Sequence, residues 1–328
     1  MRGLLLNAHD ARRHAALLAT LEGIEGVEVV ALPESEGEAL SEEQMAGIEG
    51  AFFLFDGAHP QAGRRLLGVA RRAPNLRWLH LGHAGVDAPV FQELMARGVV
   101  LTNSSGVTAE PIAQTAIAGM LALHRGLHTW MRDQREHAWQ RHDDALPRDL
   151  RGQTIVVLGL GAIGGHVARF ARAFGMHVVG VRRSPAGVED GADEWVTPDR
   201  LAEVLPRADV LAITVPLTAQ TQGMVDARAL ALLPPGALVL NVARGQIVDE
   251  AALIEALRSG HLGGAYLDVF EVEPLPDDSP LWDLPNVLVS PHDAGRSAGN
   301  DARVDAIFAE EVQRWAHGED SPRRVRDR

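Results

Sequence analysis

Three segments in the second half of the chain carry groups that together could hold an anionic substrate and move a proton. Arg244 lies in Asn241-Val242-Ala243-Arg244-Gly245, Glu273 in Leu267-Asp268-Val269-Phe270-Glu271-Val272-Glu273-Pro274, and His292 in Ser290-Pro291-His292-Asp293-Ala294-Gly295. A guanidinium can clamp a carboxylate in bidentate fashion and polarise the carbonyl beside it. An imidazole can protonate a developing alkoxide, and a nearby carboxylate can orient that ring and favour its charged form. Such a set fits reduction of a 2-keto acid, with the hydride coming from a nicotinamide. Taken singly, a loop Glu-Pro reads as a solvated turn, an arginine after a strand as a surface cation and a lone histidine as structural. The ordered combination at predicted strand ends is what points to chemistry.

A source for the hydride stands upstream. The apolar run Thr154–Leu158 leads directly into Gly159-Leu160-Gly161-Ala162-Ile163-Gly164 and then into helical spacing, with Ile163, Val167, Phe170, Ala171 and Phe174 on one face. In this context the first glycine permits a tight turn, the second lets backbone approach a pyrophosphate, and the third packs helix against strand. The helix N-terminus offers free N–H groups and its positive dipole end to the phosphates. The fingerprint expects an acid at the end of the next strand, for a ribose hydroxyl. Here that strand ends in Val181-Arg182-Arg183-Ser184, and the nearest acids, Glu189 and Asp190, lie beyond it. Two guanidiniums and a hydroxyl suit a 2′-phosphate, so NADP is expected over NAD. Arg-Arg pairs recur at 12–13, 64–65, 71–72 and 323–324, so it is the position of this pair that carries the inference.

The elements that must position these groups follow from the apolar pattern. Short apolar runs at 4–6, 27–31, 51–55, 76–81 and 99–101 alternate with helical spacing at 10–21, 60–72 and 89–97, which implies a parallel sheet covered by helices. A long helical stretch is predicted over 109–131, then a polar arm over 132–151. Further strands are predicted at 154–158, 177–181, 210–214, 238–241, 264–267 and 287–290, with a final helix over 297–317. In a parallel sheet, residues just past the carboxyl ends of strands gather in one crevice. Arg244 and His292 sit at such ends, and Glu273 lies in a loop that could return to them.

Composition narrows the classes. The 328 residues suggest about two domains. There is no cysteine, which removes disulfides, thiolate metal sites and cysteine nucleophiles, and all 31 basic side chains are arginine, which removes lysine-dependent chemistry. A net charge of −13 argues against general nucleic-acid binding. No apolar run is long enough for a membrane span, and the N-terminus does not read as a signal peptide, so a cytoplasmic protein is expected. His124 and His128 are spaced four apart on a predicted helix, without a glutamate base or an evident third ligand, and no metal is expected.

The motifs at 159–164, 241–245, 267–276 and 291–292 resemble those of the D-isomer-specific 2-hydroxyacid dehydrogenases, which include glyoxylate/hydroxypyruvate reductases and phosphoglycerate dehydrogenases. The resemblance covers residues 75–296 well, and the first 70 by architecture. It implies that Arg244, Glu273 and His292 are the catalytic set. It implies that Asp268 and the Val242 and Ala243 backbone meet the nicotinamide carboxamide, and that Gly295 belongs to the cofactor site. The segment Val215-Pro216-Leu217-Thr218-Ala219-Gln220-Thr221 matches a loop beside the cofactor. Residues 80–87 resemble a substrate loop in which the N–H groups of Ala84 and Gly85 bind carboxylate, and residues 55–59 would line the substrate side. Thr108-Ala109-Glu110-Pro111 matches the start of a helix crossing between domains.

The fold implied is α/β, with two Rossmann-like or flavodoxin-like doubly wound parallel-sheet domains. A cofactor domain at 104–295 is inserted into a substrate domain formed by 1–103 and 296–328, with hinges near 102–106 and 292–297. A homodimer through the cofactor domain is implied, consistent with the polar arm. Two departures stand out: Arg182 replaces the usual acid, and Thr214 takes a position often held by histidine.

The resulting expectation is NADPH-dependent reduction of a small unphosphorylated 2-keto acid, such as glyoxylate or hydroxypyruvate, with NAD as the lesser cofactor. The alternatives are a nucleotide-sensing protein of the co-repressor kind and an NAD-dependent D-3-phosphoglycerate dehydrogenase. Short-chain dehydrogenases need a tyrosine–lysine pair, and this chain has Tyr266 but no lysine. Formate dehydrogenases of the same superfamily carry glutamine where Glu273 stands.

Overall fold

The structure, a computed structural model, describes residues 2–13, 15, 17, 19, 24–35, 38–54, 60–86, 88–141, 147–183 and 191–325. Of the sequence-based assignments, residues 55–59, Asp87, the 142–146 part of the arm, Ser184, Glu189 and Asp190 lie outside the described residues. The chain divides into two compact units, Met1–Val107 with Ala298–Arg328, and Thr108–Ser297.

The first unit is a sheet of five parallel strands: β1 (Arg2–Asn7), β2 (Val27–Leu32), β3 (Ile48–Phe53), β4 (Trp78–Leu81) and β5 (Val100–Asn103). Their order is β2-β1-β3-β4-β5, that of a doubly wound flavodoxin-like sheet. Strands β1, β3 and β4 are buried almost end to end, because helices cover both faces. On one face Leu66 of the helix Pro60–Arg72 and Leu94 of the helix Pro89–Ala96 pack with Leu5, Ile48 and Leu79. On the other, the helix Asn300–His317 brings Val304, Phe308 and Val312 onto Leu4, Leu6, Phe52 and Trp78. The end of the chain therefore completes the core that its beginning opens.

His80 is buried in that second layer. Its ring stacks with Phe52 at 5.8 Å and lies 5.6 Å from Phe308, while Nδ1 meets Thr102 Oγ1 at 2.8 Å and Nε2 meets Ser104 Oγ at 3.0 Å. Burial, aided by Arg323 and His83, pushes the imidazole down to about 3.

The second unit is a sheet of seven parallel strands: β6 (Thr154–Leu158), β7 (His177–Val181), β8 (Glu194–Val196), β9 (Val210–Ile213), β10 (Ala237–Asn241), β11 (Leu262–Leu267) and β12 (Val287–Val289). Their order is β12-β11-β10-β9-β6-β7-β8. This is the Rossmann order with one strand added, and winding reverses between β6 and β9. Large apolar clusters lie on both faces, one around Val156, Leu211, Val239 and Leu267, the other around Ile155, Ala212, Leu240 and Tyr266.

Several element boundaries differ from the sequence expectation. The helix predicted over 109–131 is two helices, Ala109–Arg125 and Leu127–Arg135, because Gly126 adopts φ 71 and ends the first one. The polar arm thus begins within a helix. The last helix starts at Asn300 rather than 297. Strand β8, three residues long, was not foreseen, and β11 begins two residues earlier than expected. Among the described residues, no helix is long and apolar enough to cross a membrane.

The buried imidazole makes stability depend on acid. Below about pH 6.5 the unfolded chain binds a proton that folded His80 refuses, so stability falls as pH falls, by about 1.4 kcal/mol per pH unit from this residue. The loss continues until the folded group itself titrates near 3. Urea unfolding midpoints between pH 7 and pH 5 should decline more steeply for the native chain than for His80→Gln, which keeps polar atoms for Thr102 and Ser104. Parallel declines would contradict this reading.

Candidate active site

All seven strands of the second unit run parallel, so the segments that follow them share one edge of the sheet. Adjacent strands are about 4.8 Å apart, which turns strand order into a ruler. Along that edge come His292 after β12, Asp268 after β11, Val242 to Arg244 after β10, Val215 and Pro216 after β9, Gly159 to Gly164 after β6, and Arg182 and Arg183 after β7. That order would suit an extended dinucleotide, with its ribose end toward β7, its pyrophosphate at β6 and its reacting end toward β9 and β10.

The glycine-rich turn is built for close approach. Gly159 has φ 104, and a Cβ there would lie 2.7 Å from Val215 Cγ1. A Cβ at Gly164 would lie 1.9 Å from the Gly159 carbonyl oxygen. At Gly161, by contrast, a Cβ would meet nothing within 4 Å. Gly161 caps the helix Ala162–Ala173 and, as a glycine, brings no side chain to that N-terminus. A helix N-terminus capped by glycine, with space at Gly161 among the described residues, fits a pyrophosphate. Thr214 now has an evident role. Its hydroxyl donates to Gly159 O at 2.7 Å and to Leu158 O at 3.2 Å, pinning the turn to the end of β9.

After β7, Arg182 is half-buried and Arg183 exposed, directly after Val181. At the switch point, Thr221 Oγ1 donates to Pro216 O at 2.7 Å and accepts from Thr218 N at 2.8 Å, which folds the 215–221 loop onto itself.

Arg244 rests on a braced turn. Buried Asn241 accepts from Ala243 N at 3.1 Å through Oδ1 and donates to Arg244 O at 3.2 Å. Arg244 Nη1 donates to Ala243 O at 2.7 Å. Gly245 lets the next loop touch this turn, since a Cβ there would lie 1.9 Å from the Phe270 carbonyl carbon. Gln246 Nε2 also donates to Glu271 O at 2.9 Å, and Glu271 N donates to Glu250 Oε2 at 3.0 Å. The arginine segment and the glutamate loop are thus packed backbone to backbone.

Glu273 and His292 meet directly, Oε2 to Nδ1 at 2.7 Å. Phe270 N donates to Glu273 Oε1 at 3.0 Å and holds the carboxylate in place. His292 has φ 54, a conformation that few histidines adopt, and its N–H points back to Asp268 O at 2.9 Å and Ser290 O at 3.0 Å. Buried Asp268 clamps the same loop: its Oδ1 accepts from Ser290 Oγ at 2.6 Å, Asp293 N at 2.9 Å and Ala294 N at 3.0 Å. Burial raises the Asp268 carboxyl above its ordinary value, and those bonds and the nearby His292 oppose the rise. From the other side, Thr115 Oγ1 donates to Ala294 O at 2.9 Å, and Gly295 packs on Ile112 and Thr108.

Ala84 and Gly85 belong to the first unit, in the turn after β4, where Asn103 Nδ2 donates to Ala84 O at 2.9 Å. His124, considered above for a metal, instead pairs with Met120 O at 3.1 Å and Gln153 Oε1 at 2.9 Å. The supports that sequence reasoning missed are Thr214, Asn241, Ser290, Tyr266 and Glu250. Only Asn241 and Ser290 carried a signal, as polar residues inside the recognised motifs.

Such a sheet, with a glycine-rich turn at its switch point and a carboxylate-held imidazole farther along, is that of a nicotinamide-dependent oxidoreductase. Residues 117–294 match the family model described as D-isomer specific 2-hydroxyacid dehydrogenase, NAD binding domain. A glyoxylate reductase of Korarchaeum cryptofilum (strain OPF8) is 35% identical over 263 residues, covering 78% of this chain and 78% of that protein. A D-3-phosphoglycerate dehydrogenase of Mycobacterium bovis is 35% identical over 264 residues, covering 77% of this chain but only 48% of that enzyme. The chain therefore spans about half the length of that relative. A solved D-isomer specific 2-hydroxyacid dehydrogenase from Xanthobacter autotrophicus Py2, in complex with NADPH and MES, is 32% identical with a TM-score of 0.77, over 99% of this chain and 98% of that one. The chain belongs to the D-isomer-specific 2-hydroxyacid dehydrogenases, oxidoreductases that act on the CH–OH group of their donors.

Proposed function

We propose that this protein reduces a small, unphosphorylated 2-keto acid, of the glyoxylate or hydroxypyruvate kind, to the D-2-hydroxy acid, with NADPH preferred over NADH. The observation that carries the reading is the 2.7 Å contact between Glu273 and His292, two strands along from Arg244 on the edge that also bears the glycine turn. The similarity to a glyoxylate reductase supports the substrate class.

Gly159, Gly161, Ala162, Ile163 and Gly164 would hold the pyrophosphate, and Val215, Pro216, Thr221, Val242, Ala243, Asp268 and Gly295 would surround the reacting end. Bound there, the reduced nicotinamide supplies the hydride. Arg244 grips the substrate carboxylate and draws density from the neighbouring carbonyl. A carboxylate only accepts hydrogen bonds, so His292 keeps a proton on Nδ1 facing Glu273. The second proton of the imidazolium therefore sits on Nε2, from which it passes to the developing alkoxide. Glu273 offsets the positive charge that this donor needs. Ala84 and Gly85 would add backbone N–H groups for the carboxylate.

The cofactor preference rests on Arg182 and Arg183 at the end of β7, with Ser184 beside them in sequence, and on the NADPH held by the Xanthobacter relative. A 3-phosphoglycerate substrate is the second reading, favoured by equal identity to enzymes of that name. Initial rates on a panel of 2-keto acids, with NADPH and NADH, separate the two. A homodimer through this unit is also proposed. It is supported by exposed Leu127, Trp130 and Met131 on one short helix and by Trp139, 98% exposed in the arm that follows.

Three outcomes are expected. His292→Ala should lower kcat by about 10²–10⁴-fold with NADPH affinity retained, and near-normal turnover would sink the proton-donor role. Changing Arg182 and Arg183 together to glutamine should raise KM for NADPH far more than for NADH, whereas equal effects would refute the 2′-phosphate assignment. Sedimentation should give a species of twice the 35.3 kDa chain mass, and a monomer at working concentrations would remove the dimer.

A further inference from the structure

The chain has one tyrosine, and it stands behind the loop that carries His292. Tyr266 projects from β11 toward the helix Ala109–Arg125, its ring seated over Gly119, where a Cβ would come within 2.5 Å of it. That packing needs only the ring. The hydroxyl does something else: it meets Ser290 Oγ at 2.7 Å, and Ser290 Oγ donates to Asp268 Oδ1 at 2.6 Å.

The direction of this relay follows from proton inventory. A serine hydroxyl has one proton, and Ser290 gives it to a carboxylate, so toward Tyr266 it can only accept. Tyr266 is then the donor. Burial pushes the phenol up to about 12, so it keeps its proton at any working pH. The carboxylate at the end of the relay is the one that receives Asp293 N and Ala294 N, while the carbonyl of the same residue receives His292 N. The left-handed backbone at His292 is therefore held by bonds that converge on Asp268.

Resting on the dehydrogenase reading above, we propose that Tyr266, acting through Ser290, is a positioning residue for proton transfer. Its hydroxyl holds the Asp268 carboxylate as the anchor of the 290–294 loop, and so holds the His292 ring against Glu273. Ser290 is the link. Without the phenol, Ser290 is a weaker donor, and Asp268 takes up a proton at higher pH. Among the described residues, the titratable groups that act on Asp268 are Tyr266, on the strand that leads into it, and His292 on the loop, with Asp293 and Arg296 paired at 3.6 Å farther along that loop. The helix packed on the loop meets it with Thr108, Ile112 and Thr115, none of which titrates.

Tyr266→Phe keeps the ring and deletes one oxygen. Keto-acid reduction by this variant should lose about threefold to tenfold in kcat, with NADPH affinity unchanged within about twofold. The acid limb of its pH–rate profile should move to higher pH. Ser290→Ala should behave the same way, and Ser290→Thr, which keeps a hydroxyl, should retain the native profile. Hydrogen–deuterium exchange on the unliganded protein gives a readout free of activity: Tyr266→Phe should quicken exchange at residues 290–296 and leave other segments as they were. A Tyr266→Phe profile that superimposes on the native one overturns the proposal, and so does unchanged exchange at 290–296. If the native chain turns over no 2-keto acid while exchange at 290–296 still quickens in Tyr266→Phe, the anchoring stands and the dehydrogenase reading alone falls.

Discussion

The contact on which the rest depends is the hydrogen bond from His292 Nδ1 to Glu273 Oε2 at 2.7 Å. It turns Nδ1 toward the carboxylate and leaves Nε2 on the other side of the ring, and in the proposed reaction it would supply the negative charge that a protonated donor needs. Both partners are on loops, and both are substantially exposed within this unit, so the contact cannot hold itself in place. The geometry has to come from what lies behind it. Glu273 is held by the Phe270 N–H, and the Phe270 backbone is pressed against Gly245. His292 is held by the bonds to Asp268 and Ser290 and by Thr115 on the far side of the loop.

The sheet explains why these loops meet. Seven parallel strands place the segments that follow them on one edge, and their order sets the glycine turn between Arg182 and Arg183 on one side and the Glu273–His292 pair on the other. The polar groups that stiffen this edge are buried side chains with local partners: Asn241 under Arg244, Asp268 under His292, Thr214 under Gly159. Each replaces water around backbone groups that would otherwise be left unsatisfied near the site. Burial raises the carboxyl of Asp268, and three donors on one oxygen oppose that rise.

What was legible in the sequence has a common cause. The glycine turn, Arg244, Glu273 and His292 sit in short contiguous segments that can be read without knowing any distant partner, and the parallel alternation shows in runs of apolar residues. What was not legible depends on partners far away in the chain. Thr214 looked like a departure of no clear meaning, because its acceptor, Gly159 O, is 55 residues away. Tyr266 reads as one more core aromatic until Gly119 and Ser290, on separate elements, are brought to it. The split at Gly126 escaped because the apolar spacing continues across it, although the backbone turns left-handed there. The three-residue strand β8 is too short for any periodicity to show.

The most direct test of the account is nitrogen-15 NMR of the His292 imidazole in the unliganded protein across its titration. If Glu273 holds the ring, the neutral imidazole keeps its proton on Nδ1, toward the carboxylate, and Nε2 is the atom that exchanges a proton. A neutral ring protonated on Nε2 would mean that the carboxylate does not hold the imidazole in the proposed sense, and the proton-transfer role built on that contact would fail.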